Sequence, residues 1–205
     1  MDKILIATFQ GKHEYQVLDA KTLKKITSFA VPDVNWQFGN QSFSPDGKNV
    51  ALLAIEINPQ SKKNQWVIYI FDVVSGNQIK KLVSPFGVLK EIKYGHSGNY
   101  LFASSDYNVY QFGTQDYKVI KTFHSGNEKD SWQFSLWGKI AVSSDDKYLI
   151  AGDAGGIIHL WDISSARKIK TFSKHSASIK TVLFTPDNKK FVSCSDDGTT
   201  RLWDI

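Results

Sequence analysis

Two short sequence phrases recur along the chain at intervals of 41 to 53 residues. The first is a turn that follows an apolar run, and it begins at Phe43, Tyr94, Val142 and Phe184, which are 51, 48 and 42 residues apart. The second closes an apolar run, and its copies are Leu18-Asp19, Phe71-Asp72, Phe112-Gly113, Trp161-Asp162 and Trp203-Asp204. Self-similarity at one period indicates stacked copies of a single supersecondary unit. The sequence therefore predicts a repeat protein with about five units.

The last unit, His175 to Ile205, is the clearest copy. Its apolar runs are Ile179–Phe184, Phe191–Cys194 and Thr200–Trp203, and they are separated by turns over Thr185–Lys189 and Ser195–Gly198. Short apolar runs bounded by Asp, Gly, Pro and Ser are typical of antiparallel strands joined by hairpins. We expect an all-β fold class, with no helix in this unit.

This unit resembles a WD40 repeat, since a His is followed by an Asp-Gly turn and by a strand that ends in Trp-Asp. In that family a His, a Ser or Thr, the turn Asp and the Trp form a buried hydrogen-bond chain. The matching residues are His175, Ser193, Asp197 and Trp203. The resemblance implies a β-propeller built of four-stranded antiparallel blades. A buried carboxylate is expensive without hydrogen bonds, and a His N–H and turn N–H groups are suitable donors.

The repeat divides residues 1–205, taken as a single WD40 propeller domain, into five approximate blade units. They are 1–31, 34–84, 87–124, 132–173 and 175–205. The first unit lacks an innermost strand and the last lacks an outermost strand. Five units are also fewer than the seven usual in the family. We therefore expect an incomplete or open propeller, as a piece of a longer one or completed by another chain. A self-contained irregular ring is the alternative.

The other blade units carry degenerate copies of the tetrad. In the fourth unit, Gly155 and Ala151 replace the Asp and the Ser, and only Trp161 remains, so we expect that blade to be held mainly by apolar packing. In the third unit, Phe112 stands where Trp is expected and Asp106 is a candidate turn Asp. His96 falls in a hairpin, where we expect it to be exposed.

Long polar connections mark one face as the candidate partner-binding surface. The segment Asn58–Gln65 is an eight-residue insertion, whereas hairpin loops usually have 2–5 residues. Loops on a rigid scaffold often bind partners, although a drifted solvent loop is the alternative. The residues that map to this face are Lys12, His13, Trp36, Lys62, Trp132 and Asp196. Trp is enriched at binding hot spots, but burial of Trp36 and Trp132 between blades is an equal alternative.

Basic residues recur on or next to each fourth strand. They are Lys24, Lys25, Lys80, Lys81, Lys118, Lys121, Arg167, Lys168 and Lys170. Lysine on an exposed edge discourages pairing with another sheet, and we favour that role. A basic outer rim that binds nucleic acid is the alternative, since the formal net charge is +5.

Several site classes are not supported by the sequence. A hydrolase triad of His175, Ser193 and Asp197 needs an exposed nucleophile and oxyanion donors, whereas the WD40 match buries these residues. Gly152–Gly156 lacks the Lys-Ser/Thr of a phosphate loop, and five histidines with one cysteine have no metal-ligand spacing. We therefore predict no enzyme, no cofactor, no metal and no small-molecule substrate.

The remaining features favour an intracellular scaffold. Cys194 is the single cysteine, which excludes an internal disulfide, and we expect it to be an inert core thiol. No apolar stretch reaches the roughly 20 residues that cross a membrane. The predicted function is a non-catalytic WD40 scaffold that binds other protein subunits within a complex, in the cytoplasm, on the cytoskeleton or in the nucleus. A subunit associated with nucleic acid or ribonucleoprotein is the alternative.

Overall fold

A computed structural model describes residues 3–8, 14–31, 40–126 and 139–205. The described residues form antiparallel sheets joined by turns, with no helix among them, which confirms the all-β fold class. In the same residues there is consequently no helix long and apolar enough to cross a membrane. Each sheet follows chain order, and we number the five described sheets as blades 1 to 5.

Blades 1 and 2 occupy the first part of the chain. Blade 1 comprises β1 (Lys3–Thr8), β2 (Glu14–Asp19) and β3 (Lys25–Ala30). Blade 2 comprises β4 (Asn40–Phe43), β5 (Asn49–Ile57), β6 (Asn64–Asp72) and β7 (Gln78–Val83). Leu23 has a φ of 57° and lies in the turn before β3.

Blades 3 to 5 follow the same plan. Blade 3 comprises β8 (Leu89–Tyr94), β9 (Tyr100–Ser105), β10 (Asn108–Gly113) and β11 (Val119–His124). Blade 4 comprises β12 (Lys139–Val142), β13 (Tyr148–Gly152), β14 (Ile158–Asp162) and β15 (Lys168–Phe172). Blade 5 comprises β16 (Ile179–Phe184), β17 (Lys190–Ser195) and β18 (Thr200–Asp204), so its described strands number three.

The chain forms two compact units, Met1–Gly87 with blades 1 and 2, and Val88–Ile205 with blades 3 to 5. In the first unit, one apolar core joins β2 and β3 to blade 2, and Phe29 stacks on Phe71 with ring centroids 4.2 Å apart. The second unit has one core between blades 3 and 4 and another between blades 4 and 5. The prediction of one domain over residues 1–205 stays a prediction.

The strands of blade 4 are apolar on both faces because another blade packs on each face. We call the face that packs on the blade before it in the chain the preceding face, and the other the following face. On the preceding face, Leu149 and Trp161 pack against blade 3. On the following face, Ile150 and Leu160 pack against blade 5. Because side chains alternate along a strand, a strand between two other sheets is apolar throughout.

The Asp at the end of a third strand shapes the turn to the fourth. In blade 4, Asp162 accepts hydrogen bonds from the hydroxyls of Ser164 and Ser165, at 2.6 and 2.8 Å, and from the Ser165 N–H at 2.8 Å. These donors lower the pKa of Asp162 to about 2. Asp19 and Asp72 accept equivalent bonds in blades 1 and 2. The Asp of the Trp-Asp pair therefore organises a hairpin, which is its usual role in turns.

Hairpin turns of neighbouring blades in the second unit also cap one another. Asp146 of blade 4 accepts hydrogen bonds from the His96 and Ser97 N–H groups of blade 3, both at 2.7 Å. Asn188 of blade 5 accepts one from the Ser144 N–H of blade 4 at 3.0 Å. His96 itself is exposed. The caps come from the next repeat, 44 to 50 residues away in sequence, so no local pattern predicts them.

Candidate functional site

The four residues of the predicted tetrad form one continuous hydrogen-bond chain in blade 5. His175 Nε2 lies 2.7 Å from Ser193 Oγ, and the Trp203 indole N–H donates to the same oxygen at 2.7 Å. His175 Nδ1 lies 2.7 Å from Asp197 Oδ2. Ser193 has no exposed surface, and His175 and Trp203 are buried. The chain thus joins the segment before β16, the middle strand, the β17–β18 turn and β18.

Strand register and aromatic packing hold this chain in place. Phe191 pairs with Trp203 across β17 and β18, and their rings stack with centroids 5.9 Å apart. Phe172, from the outer strand of blade 4, meets the Trp203 ring edge-on at 5.3 Å. The indole is thereby fixed between two blades with its N–H directed at Ser193. The same ring that supports the tetrad also belongs to the core between blades 4 and 5.

Asp197 is the acceptor at the end of the chain. Its carboxylate accepts hydrogen bonds from the Thr199 hydroxyl at 2.6 Å, the Thr199 N–H at 2.8 Å and the Ser176 N–H at 3.1 Å. The Thr199 hydroxyl, followed by His175, holds the pKa of Asp197 well below its usual range. The carboxylate is therefore ionised at neutral pH and ties the β17–β18 turn to the segment that enters blade 5.

His175, Ser193 and Asp197 are the residue types of a Ser-His-Asp triad, but Ser193 is not accessible to a substrate. A nucleophilic serine must meet a substrate carbonyl beside oxyanion donors. Ser193 Oγ is instead enclosed, with His175 on one side and the Trp203 N–H on the other. The geometry suits a structural link between strands and does not suit acyl transfer.

His175→Ala is expected to lower the free energy of unfolding by about 1–3 kcal/mol, because it leaves the buried Ser193 hydroxyl and the Asp197 carboxylate without their shared partner. Equilibrium urea denaturation followed by far-UV circular dichroism measures this change. Equal stability of variant and wild type would contradict a structural role for the tetrad.

Asp197→Asn provides the companion measurement, because it removes the charge and replaces one of the two acceptor oxygens with an amide NH2 group that cannot accept a hydrogen bond. A lowered pKa in the folded state stabilises the fold above the pKa of an unfolded aspartate, about 3.9, and this contribution is lost as the pH falls through the folded pKa. Asp197→Asn should therefore be less stable than wild type at neutral pH, with a difference that narrows in acid. A difference that is constant with pH would show that the charge of Asp197 is unimportant.

Blade 4 has a different buried polar pair, which sequence reasoning missed. The Trp161 indole N–H donates to the His124 carbonyl at 3.3 Å, so it does not join a tetrad. Asp153 and His159 are both buried, with Asp153 Oδ2 and His159 Nε2 3.3 Å apart. This pair adds to the apolar packing that was predicted to be the main support of the blade. An Asp directly after a strand and a His inside the next strand are the signal that was available.

Blade 3 also departs from the tetrad. Phe112 is buried at the Trp position, as an apolar replacement should be. Asp106 lies in the turn between β9 and β10, where its carboxylate forms an ion pair with Lys90 at 3.2 Å. Phe112 is therefore a buried apolar residue and Asp106 a partner of Lys90, and neither belongs to a His-Ser-Asp-Trp hydrogen-bond chain.

Lys62 and Asp196 are the two candidate partner-binding residues that the structure describes. Both are exposed, Lys62 at the tip of the β5–β6 hairpin and Asp196 in the β17–β18 turn, where it pairs with Lys180 at 2.7 Å. The other four, Lys12, His13, Trp36 and Trp132, lie outside the described residues.

The β5–β6 hairpin is ordered, and its loop is shorter than predicted. The strands extend to Ile57 and Asn64, which leaves six connecting residues instead of eight. The Asn58 side chain accepts hydrogen bonds from the Gln60 and Ser61 N–H groups at 2.9 and 2.8 Å. Below it, the buried Glu56 bonds Tyr69 and forms an ion pair with Lys81 at 2.7 Å. This network gives the exposed tip a rigid base.

Several lysines of the predicted basic rim have structural partners. Lys121 of blade 3 donates to the Ile163 and Ser164 carbonyls of blade 4 at 2.9 and 2.5 Å, and Lys168 of blade 4 donates to the Ser125 carbonyl that follows blade 3. Partial burial lowers the pKa of Lys168. Lys81 pairs with Glu56 as described above. These three lysines hold sheets and turns together. Neither of the two roles considered for them, protection of a sheet edge and binding of nucleic acid, includes such contacts.

The prediction that Cys194 is a core thiol is wrong, because the residue is partly exposed, with its sulfur 3.3 Å from the Thr200 hydroxyl. Phe191 and Ser193 are buried on the preceding face, so alternation places Cys194 on the following face of blade 5. Among the described residues, no group of three or more His, Cys, Asp or Glu side chains is arranged to hold a metal ion.

Comparison with known families agrees with this geometry. The family described as "WD domain, G-beta repeat" matches residues 133–162 and 166–204, which include most of blade 4 and all four residues of the tetrad. These two segments of the chain are WD40 repeats. The tetrad residues of blade 5 and the Trp-Asp turn of blade 4 are thus WD40 features in sequence as well as in structure.

Three relatives show the range of WD40 proteins to which the chain is similar. A U3 small nucleolar RNA-associated protein 15 homolog from Xenopus laevis is 31% identical over 60% of this chain and 23% of its own length. A guanine nucleotide-binding protein subunit beta from Arabidopsis thaliana is 38% identical over 40% of this chain and 21% of its own length. A Denticleless protein homolog from Danio rerio is 31% identical over 53% of this chain and 17% of its own length. The matched region is therefore less than a quarter of each relative.

Proposed function

We propose that this protein is a non-catalytic WD40 scaffold that binds other protein subunits within a complex. The observation that carries the proposal is the enclosed hydrogen-bond chain of His175, Ser193, Asp197 and Trp203. The side chains that most resemble a catalytic triad are thus used to link the strands of blade 5. Binding then depends on the exposed turns that the blades hold. An intracellular location suits a chain with one free, partly exposed thiol.

The ordered β5–β6 hairpin supports protein binding through preformed loops. Lys62 is exposed at its tip with a φ of 58°, and the Asn58 side chain fixes the turn beneath it. A loop that is already ordered loses little conformational entropy when a partner binds. The beta subunit among the relatives is by its name part of an assembly, which is consistent with the same use here.

A nucleic-acid-associated role is the second candidate, because one relative is named for its association with U3 small nucleolar RNA. The exposed rim residues Lys24, Lys25, Lys80 and Arg167 provide positive charge for such binding. Lys81, Lys121 and Lys168 are engaged within the fold, which weakens the rim as a continuous phosphate-binding surface. Protein binding is therefore the better-supported function.

Reversing the charges on the exposed turns is expected to separate the two roles. The double variant Lys62→Glu with Asp196→Lys should reduce recovery of co-purifying proteins by at least about tenfold, since a wrong charge at an interface costs more than about 1.4 kcal/mol. The measurement is affinity purification of the tagged chain from its own cells with quantitative mass spectrometry. Circular dichroism verifies that the variant is folded.

The matched control is Lys24→Glu with Lys80→Glu, which reverses two exposed rim charges and leaves the turns intact. Under the scaffold proposal this control keeps its protein partners. Recovery of nucleic acid that falls steeply with salt and is lost in the control would instead favour the nucleic-acid role. Unchanged protein partners in the turn variant would remove Lys62 and Asp196 from the interface.

A further inference from the structure

The outer strand of each of blades 1 to 4 contains a β-bulge, and the extra residue is an isoleucine in every case. In blade 4 the register with β14 moves from Lys170 directly to Lys168, so Ile169 is the extra residue. The same shift occurs in the other three blades, where the extra residues are Ile26, Ile79 and Ile120. The four isoleucines are 38% to 52% exposed. A bulge redirects one side chain away from the regular ladder, so each of these outer strands presents an aliphatic side chain to solvent.

In blade 4 the bulged isoleucine lines a cleft at the outer strand. The cleft has a volume of about 380 Å³ and is lined by Tyr148 of β13, by the β14–β15 turn with Arg167, and by Lys168 and Ile169 of β15. Blades 3 and 5 pack on the two faces of blade 4 within the same compact unit. The cleft is therefore exposed although neighbouring blades are present on both sides.

The charged residues of the cleft give it a positive charge. Arg167 is exposed and forms no ion pair with any described residue. Lys168 donates to the Ser125 carbonyl, which is a neutral acceptor, so no carboxylate neutralises its charge. Asp162 is the one carboxylate in the lining, and the adjacent serine hydroxyls already donate to it. The cleft thus has two cationic groups and one carboxylate that is already satisfied.

The equivalent positions of the other bulged blades lack this combination. In blade 2 the two residues before the bulge, Asn77 and Gln78, are uncharged. In blade 3, Lys118 precedes the bulge by two residues and forms an ion pair with Asp116 at 3.3 Å. Blade 1 has two lysines before the bulge, but a third lysine takes the place of the tyrosine. Among blades 1 to 4, unpaired positive charge therefore combines with an aromatic ring and an exposed isoleucine in blade 4.

We propose that this cleft of blade 4 binds an extended acidic segment of a partner protein. An apolar side chain of the segment contacts Tyr148 and Ile169, and its carboxylates lie against Arg167 and Lys168. A guanidinium binds a carboxylate through two parallel hydrogen bonds, and complementary charge selects acidic partners. The cleft is open to solvent, which suits a chain that lies across it better than a small molecule that needs an enclosed pocket. The bulge interrupts the strand edge, so the segment binds through its side chains and does not extend the sheet. The proposal rests on the scaffold function and names a surface and a class of partner for it.

Selection from a random peptide library displayed on phage tests the proposal, with the immobilised full chain as the target. The selected peptides should contain both acidic residues and an aliphatic or aromatic residue. Arg167→Glu reverses a charge and Ile169→Asp removes the apolar contact, so each should weaken binding of a selected synthetic peptide by at least about tenfold in fluorescence anisotropy. Ile79→Asp is the matched control, because it changes the bulged residue of blade 2 and should leave the affinity unchanged. Circular dichroism verifies that all three variants are folded.

Three results would overturn the proposal. The first is selection of basic or uncharged peptides, or equal affinity of the selected peptide for wild type, Arg167→Glu and Ile169→Asp. The second is binding of a short oligouridine that Arg167→Glu abolishes, without binding of any acidic peptide, which would assign the cleft to nucleic acid. The third comes from affinity purification, if Arg167→Glu and Ile169→Asp retain every co-purifying protein that the double variant of Lys62 and Asp196 loses. That last result would reject the cleft and leave the scaffold function in place.

Discussion

Trp203→Ala is expected to lower the free energy of unfolding by about 3–5 kcal/mol, the range for loss of a large aromatic side chain from a core. The ring is 8% exposed, stacks on Phe191 and meets Phe172 edge-on, so its removal opens a cavity in the core between blades 4 and 5. Its N–H is also the second partner of the buried Ser193 hydroxyl. Urea denaturation followed by far-UV circular dichroism measures the loss.

Two further substitutions separate the contributions of Trp203. Trp203→Phe keeps an aromatic ring between Phe191 and Phe172 but loses the hydrogen bond to Ser193, which should cost about 1 kcal/mol from the bond itself. Leu202→Ala removes a side chain that is 61% exposed, and its effect should stay within about 0.5 kcal/mol. A similar loss for Leu202→Ala and Trp203→Ala would show that this core is not formed.

The tetrad was predictable because local geometry fixes each of its members. Alternation along β17 places Ser193 on the same face as Phe191, and register places Trp203 opposite Phe191. Asp197 stands just before Gly198, whose φ of 77° suits a tight turn. The resemblance to a WD40 repeat was therefore sufficient to find four side chains that meet in space.

Contacts between neighbouring blades were not predictable in the same way. Lys121 and Lys168 reach carbonyl groups more than 40 residues away, and in sequence both look like ordinary edge-strand lysines. In the fourth repeat the position of the family Asp is Gly155, so the repeat pattern does not point to Asp153 two residues earlier. The burial of Cys194 was wrongly predicted because an apolar strand does not show by itself which of its two faces is covered. In each case the missing information was which blade covers which face.

Gly156→Ala is expected to lower the free energy of unfolding by about 2–4 kcal/mol, from backbone strain and overpacking together. Gly156 has a φ of 86°, in the left-handed region that side chains disfavour. A Cβ added there would lie 2.6 Å from the His175 carbonyl oxygen and 2.9 Å from the Ala177 carbonyl oxygen. Backbone atoms of the segment that enters blade 5 would have to move, and this segment carries the tetrad His175.

Gly198→Ala is the matched control, because Gly198 occupies the same position in the hairpin of blade 5. Its φ is 77°, but a Cβ added there would meet no atom within 4 Å. This substitution should therefore cost only the strain of the left-handed backbone, about 1–2 kcal/mol. The excess cost of Gly156→Ala then measures the close approach of blade 4 to the segment that positions His175. Equal losses at the two glycines would contradict that approach, and with it the view that blade 4 holds the tetrad of blade 5 in place.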